Sequence, residues 1–340
     1  MKAVVKVARG PGNMMLKDVR APRPGPGQAL LRVAYAGICG TDIHILHDEF
    51  PYWPPVVLGH EFVGTVAEVA ADVDPAWVGR RVVCEPHAGA CGTCYLCRRG
   101  YAQLCSQKRS PGWGVDGAFA SHLVVPASLL HRVPDDLPDL AAVLCEPTAI
   151  GLSALERAPV VPGDTVVVTG PGPVGILAAM AARFAGAARV VVLGQRDVDR
   201  ERLAAAGRLG FDAVGTPEDA REAVLEATDG RGADLLIEAS GAQLAIGAGI
   251  ELLRSRARVA AIGMSGRSSI EFAWDAAMQK ALDVAFSLSS SHTVWDPALV
   301  LLERNAADAA SLVTAFSLDR WADAFAAAES RTVIKPALQP

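Results

Sequence analysis

Thr165-Val166-Val167-Val168-Thr169 runs directly into Gly170-Pro171-Gly172-Pro173-Val174-Gly175, and an Ala-rich segment, Ile176 to Ala185, follows. The β-branched run reads as a short buried parallel strand and the alanines as a helix. A bare GxGxxG carries little information, but between a strand and a helix it acquires physical meaning. Glycine at the first position permits a tight turn, at the second it lets a pyrophosphate approach backbone amides, and at the third it lets the helix pack on the strand. The helix N-terminus then turns unpaired N–H groups and its positive dipole end toward phosphate. Gly170, Gly172, Pro173, Val174 and Gly175 are therefore expected to bind a dinucleotide.

Downstream the pattern keeps alternating. Arg189 to Leu193, Asp234 to Glu238, Arg258 to Ile262 and Val284 to Ser287 read as strands, and Arg200 to Leu209 as a helix ending at Gly210. Such alternation builds a doubly wound parallel sheet. The end of the second strand separates NAD from NADP: NAD sites place an acidic residue there for the ribose hydroxyls, whereas NADP sites supply room and positive charge. In Val192-Leu193-Gly194-Gln195-Arg196-Asp197 the expected position is Gly194, and Arg196 follows. A guanidinium matches a phosphate dianion in charge and fork geometry, so NADP(H) is expected over NAD(H), held by Gly194, Gln195 and Arg196. The opposing reading leaves Arg196 as a solvated loop charge and bends Asp197 or Asp199 back to the ribose.

Upstream, Val4 to Val7, Ala29 to Ala36, Gly64 to Val69, Arg81 to Cys84 and Ala120 to Val125 read as strands, the first two separated by the Pro- and Gly-rich run 21–27. This portion is expected to be a small β-barrel, with a helix start at Pro134 to Pro138. Cys91, Cys94, Cys97 and Cys105 have gaps of two, two and seven, a spacing that closes a tetrahedral structural zinc site. Ferredoxin clusters also open with CxxCxxC, but their fourth Cys follows after three residues with Pro behind it, and here Ser106 follows Cys105. Cys84 falls outside the spacing and reads as a small core residue. Two further groups offer thiolate, imidazole and carboxylate, the donor types of a catalytic zinc: Gly37-Ile38-Cys39-Gly40-Thr41-Asp42 with His44, and Gly59-His60-Glu61. A lone Cys or His is more often packing than ligand, but together, flanked by glycines, these point to metal. Either Cys145 or Glu146 could add a ligand, and composition alone leaves that choice open.

A chain of 340 residues exceeds the size at which one hydrophobic core stops growing, so two domains are expected. The formal net charge of -5 argues against nucleic acid or an anionic membrane as partner. The first residues carry charge on both sides of a short apolar run, unlike a signal peptide, and no apolar stretch reaches a membrane span, so a cytoplasmic protein is expected. Seven cysteines, four of them within fifteen residues, look like metal binding and not a disulfide framework.

Taken in order, the Cys39–Asp42 and Gly59–Glu61 motifs, the four-cysteine lobe, Glu146-Pro147 and the glycine-rich turn resemble the zinc-dependent medium-chain alcohol and polyol dehydrogenases, in the sorbitol and threonine dehydrogenase branch. Part of the zinc assignment comes from that kinship, since alcohol dehydrogenase is itself a stock example of catalytic zinc. The resemblance implies an α/β protein with a GroES-like β-barrel catalytic domain at 1–151, carrying the structural zinc lobe at 85–110. A Rossmann coenzyme domain at 152–290 and a C-terminal return, 291–340, to the first domain complete it.

By the same resemblance, Cys39, His60 and Glu146 ligate a catalytic zinc, Glu61 ligates it or lies just behind it, and Cys145 is a neighbour. Two zinc ions per chain are implied. Thr41 and His44 are similar to a proton relay, and Lys335 to the basic residue that reaches the cofactor pyrophosphate. The implied reaction moves hydride between a secondary alcohol (a polyol, cyclitol or sugar-derived alcohol) and NADP(H). An amino alcohol such as threonine is the alternative substrate, and a zinc-stabilised nucleotide-binding protein without catalysis the alternative of another class. Trp53, Trp113 and Phe119 are candidates for the substrate pocket, and a homodimer or homotetramer is implied.

Overall fold

A computed structural model describes all 340 residues, which divide into two compact units, Met1–Glu146 with Ser290–Pro340, and Pro147–Ser289. In the first unit the strands are β1 (Lys2–Lys6), β2 (Met14–Asp18), β3 (Gln28–Gly37), β4 (Val56–Val57), β5 (Glu61–Val69), β6 (Arg81–Cys84), β7 (His122–Pro126) and β8 (Leu130–Arg132). The second unit contributes β9 (Thr165–Thr169), β10 (Arg189–Leu193), β11 (Asp212–Val214), β12 (Ala233–Glu238), β13 (Leu253–Ala261) and β14 (Asp283–Phe286). The returning segment then adds β15 (Val313–Ser317) and β16 (Lys335–Gln339) to the first.

In the first unit a seven-stranded sheet runs β15-β16-β3-β5-β6-β8, with β7 pairing the other side of β3, while β2-β1-β4 forms a small second sheet. Alternating inward positions such as Ala29, Leu31 and Val33 of β3 join Val4, Val66, Val82, Leu123, Phe325 and Leu338 in one buried cluster. Register matters most at one end of this sheet. Gly37 at the end of β3 pairs with Glu61 at the start of β5, and with Ala337 of β16 on its other side. The residues just beyond or beside these pairs, Cys39, His60 and Lys335, are thereby delivered to one place. Gly37 itself makes room, because a Cβ there would stand 2.5 Å from Glu61 Oε2 and 2.9 Å from Lys335 Cε.

The second unit is a six-stranded sheet of order β11-β10-β9-β12-β13-β14, every pair parallel. Numbered within the unit this is 3-2-1-4-5-6, the doubly wound order of dinucleotide-binding folds. Its core joins Val167 and Val191 to Leu236 and Val259, with Val224 and Ile250 packed from helices Pro217–Ala227 and Gln243–Glu251.

Expected strands appear with ends moved by a few residues, and the helix expected from Ile176 starts at Pro173, where proline's fixed φ suits the first turn. Sequence reading missed the short β4, β8 and β11, and also β2, β15 and β16. The last two carry Pro336 or are half exposed, which erases the alternation that marks a strand. No helix is long and apolar enough to cross a membrane.

Candidate active site

Helix Gly40–Leu46 starts immediately after β3, with Cys39 at its N-cap in extended backbone. Three residues on, the Asp42 carboxylate accepts a hydrogen bond from the Cys39 N–H at 2.9 Å, which fixes the cysteine at the helix mouth. Cys39, His60 and Glu61 offer donor atoms that all lie within 4.8 Å of one another. His60 and Glu61 are buried, as is Asp42, whose Oδ1 stands 3.9 Å from His60 Nδ1. Sequence reasoning missed Asp42 as a site residue, although an acidic side chain three places after a cap position was its signal.

Several of these polar atoms have no hydrogen-bond partner: His60 Nδ1, Asp42 Oδ1 and Glu61 Oε1. Buried polar atoms are almost always satisfied, so a converging set of orphans with thiolate, imidazole and carboxylate chemistry fits a metal ion. Charge points the same way. Burial pushes the His60 imidazole down, yet the facing Cys39 and Asp42, with Glu146 behind them, carry it up to about 10. Glu146, also buried, is raised to about 7 by burial, with Glu61 adding to the rise while His60, Lys335 and Lys108 oppose it. Charged groups gathered out of water in this way are tolerated when they are paired or coordinate a metal. Glu146 faces the group through its charge and lies outside the set of donors within 4.8 Å.

Lys335, expected at the cofactor pyrophosphate, stands instead at this group. It is buried, and its ammonium is ion-paired with the Glu61 carboxylate. The β16–β3 pairing holds it there, so a reach to phosphate would require the pair to open. Thr41 Oγ1 lies 3.8 Å from Cys39 Sγ, whereas His44 is half exposed with Nδ1 2.9 Å from Glu49 Oε2. Cys145 is buried, its thiol pushed up by burial and turned to the Trp295 carbonyl, while Cys84 is buried in the core. Phe119, a pocket candidate, is fully buried in the barrel core against Phe325, because it fills the space above Gly59. Trp53 and Trp113 do stack on each other, with Phe50 edge-on to Trp113 and the Arg109 guanidinium over Trp53.

In the cysteine lobe the Sγ–Sγ separations are 4.0 Å for Cys91–Cys97, 3.9 Å for Cys94–Cys105 and 3.7 Å for Cys91–Cys105. Four thiolates about 2.3 Å from a tetrahedral zinc stand about 3.8 Å apart, so the four sulfurs already fit the ion. Backbone N–H groups of Thr93 and Cys94 face Cys91 and carry its thiol down to about 6, toward the thiolate a metal needs.

In the nucleotide-type unit, Gly172 caps helix Pro173–Phe184, and a Cβ there would enter open space, leaving backbone N–H groups approachable. A Cβ on Gly175 would stand 1.9 Å from the Gly170 carbonyl oxygen, so the helix packs on the turn only with glycine. A Cβ at Gly194 would meet the Pro171 ring at 2.7 Å, so glycine lets that ring close on the strand end. Arg196 pairs with Asp219 at 2.7 Å and, with Arg200, Leu203 and Gly215, lines a cavity of about 310 Å³. Asp199 is buried and accepts from the Gln195 N–H at 3.1 Å, which commits that carboxylate to its own loop. The glycine-rich turn at the helix start is the feature that fits a dinucleotide's pyrophosphate.

A barrel with a buried donor group and a sheet of this order define a two-unit oxidoreductase. Comparison with known proteins narrows the class. Residues 25–135 match the alcohol dehydrogenase GroES-like domain and residues 173–304 the zinc-binding dehydrogenase. A protein of Halalkalibacterium halodurans named sorbitol dehydrogenase is 38% identical, covering 100% of this chain and 99% of the relative. An L-threonine 3-dehydrogenase of Pyrococcus horikoshii is 36% identical over 80% of this chain and 78% of its own. A structure from Sinorhizobium meliloti 1021, described as a zinc-binding dehydrogenase bound to NADP, superposes with a TM-score of 0.88 at 30% identity, covering 100% of this chain and 99% of that one. This chain belongs to the zinc-type medium-chain dehydrogenase family, and the GroES-like plus Rossmann fold expected from sequence is the one observed. Family membership makes it a dehydrogenase and sets aside the non-catalytic alternative.

The Glu61–Lys335 pair yields a prediction. Lys335→Met strands a buried carboxylate and should lower unfolding free energy by roughly 3–5 kcal/mol in urea melts, while adding Glu61→Gln should recover most of that loss. Strictly additive losses in the double variant would contradict the pairing.

Proposed function

We propose that this chain is a zinc-dependent, NADP(H)-linked dehydrogenase that interconverts a secondary alcohol, a polyol, cyclitol or sugar-derived alcohol, with its ketone. The observation that carries this reading is the converging set of unpartnered buried donors around Cys39 and His60. Zinc bound there supplies Lewis acidity that makes an alcohol hydroxyl easier to deprotonate near neutral pH. In the balanced reaction the alcohol carbon gives hydride to NADP⁺, the hydroxyl proton leaves, and ketone and NADPH result.

Cys39 and His60 are the proposed ligands, with Glu61 completing the group and Glu146 acting on it through its charge. Asp42 braces both ligands, holding the Cys39 amide and facing the His60 ring. The Thr41 hydroxyl, beside Cys39, relays the substrate proton by accepting it while giving its own onward toward His44, which, oriented by Glu49 and open to water, releases a proton to solvent. Lys335 pairs with the Glu61 carboxylate and fixes its position at the group. Cys91, Cys94, Cys97 and Cys105 are the proposed ligands of a second, structural zinc. Gly172 and the N-terminal amides of Pro173–Phe184 receive the pyrophosphate, while Arg196 takes the 2′-phosphate alongside Asp219. The threonine dehydrogenase relative supports an amino alcohol as the second reading of substrate. A polyol and threonine panel read at the nicotinamide absorbance band separates the two.

Cys39→Ala should abolish turnover while the melting temperature holds, and Cys94→Ser should lower thermal stability first. The reverse pattern would show that the two sites had been exchanged. Arg196→Ala should raise KM for NADP by about 10-fold or more while leaving KM for NAD within about two-fold, as expected for a lost charge-assisted contact. Equal losses with both cofactors would remove the phosphate role.

A further inference from the structure

A third group of metal-ligating side chains lies in the first unit, made of residues that belong to neither of the two groups above. Glu85 directly follows β6, and His131 sits in β8, which pairs with β6 so that Val83 faces His131. Glu85, two residues beyond Val83, falls on the same face as His131. The short turn His292–Val294 of the returning segment brings in His292. Glu85 Oε1 lies 3.2 Å from His131 Nε2 and 2.6 Å from His292 Nδ1, and the three donor atoms all lie within 4.8 Å of one another.

We propose that Glu85, His131 and His292 form a third metal site, one that takes a divalent first-row ion and clips the returning segment to the barrel. Two imidazoles and one carboxylate are a donor set used for such ions with an open coordination position. Ligands about 2.0–2.2 Å from a tetrahedral ion stand about 3.3 Å apart. The Glu85–His131 separation already meets that distance, and the exposed His292 reaches it by a small side-chain rotation.

The surroundings complete the design. His131 turns its other nitrogen, Nδ1, to Asp296 Oδ1 at 2.8 Å, the carboxylate–histidine arrangement that places a ligand's lone pair on the metal side. Its ring stacks on the buried Trp295 indole at 5.5 Å between centroids, which fixes the ring plane. Glu85 and His131 are buried, whereas the His292 side chain is 70% exposed, so water supplies both the entry path and the fourth ligand. His87 Nε2 donates to the Ser290 carbonyl at 2.9 Å and stays out of the donor set. The rival arrangement is a metal-free network in which Glu85 simply accepts hydrogen bonds from both imidazoles.

Calorimetric titration of the full-length protein as purified, with Ni²⁺ as the probe, separates the two. Wild type should bind one equivalent that His292→Ala lacks, with both proteins showing the same far-UV circular dichroism and the same turnover. Asp296→Asn, a change at an exposed carboxylate, should weaken that equivalent by about 10- to 100-fold. Identical Ni²⁺ isotherms for wild type and His292→Ala would overturn the site and leave the hydrogen-bonded network. Because the comparison is a difference at His292, it stands apart from whether Cys39 and His60 hold zinc.

Discussion

Charge buried without water governs this molecule. Asp42, His60, Glu61, Glu146 and Lys335 are all buried at one end of the barrel. Ionised groups withdrawn from water are tolerated only when paired or when they coordinate metal. Two contacts are internal: Glu61 pairs with Lys335, and Asp42 Oδ1 stands 3.9 Å from His60 Nδ1. The unpartnered Asp42, His60 and Glu61 atoms and the Cys39 thiol beside them are the donor types a metal ion takes, and that gives the motifs their chemical meaning.

Strand register is what concentrates these residues. β3 ends at Gly37, β5 begins at Glu61 opposite it, and β16 brings Lys335 to the other side of β3. A slip of one residue in any of these pairings would turn the donors to the opposite face of the sheet. The absence of a side chain at Gly37 lets the Glu61–Lys335 pair lie across the backbone. The returning segment is thus part of the site, for without β16 the Glu61 carboxylate would be buried alone. The same segment closes the Glu85–His131–His292 cluster, so two separate groups tie it to the barrel.

Much of this was legible in the chain. The glycine-rich turn declared the doubly wound sheet because its three glycines each answer a local steric demand, and the four cysteines declared their lobe because thiols at that spacing can converge on one tetrahedral ion. Features that depend on long-range pairing were not legible. Lys335 looked like a cofactor contact because its partner, Glu61, is 274 positions away in sequence and β16 carries too little alternation to predict its register. Phe119 looked like a pocket aromatic because nothing local reveals that it fills the space above Gly59. Asp42 was overlooked because its backbone hydrogen bond to Cys39 is invisible until the helix start is fixed.

Anomalous X-ray scattering at the zinc absorption edge, from crystals of the protein as purified, tests the central claim most directly. A peak among Cys39, His60 and Glu61, together with one inside the Cys91–Cys105 lobe, is the result this account predicts. A peak in the lobe with none beside Cys39 and His60 would contradict it.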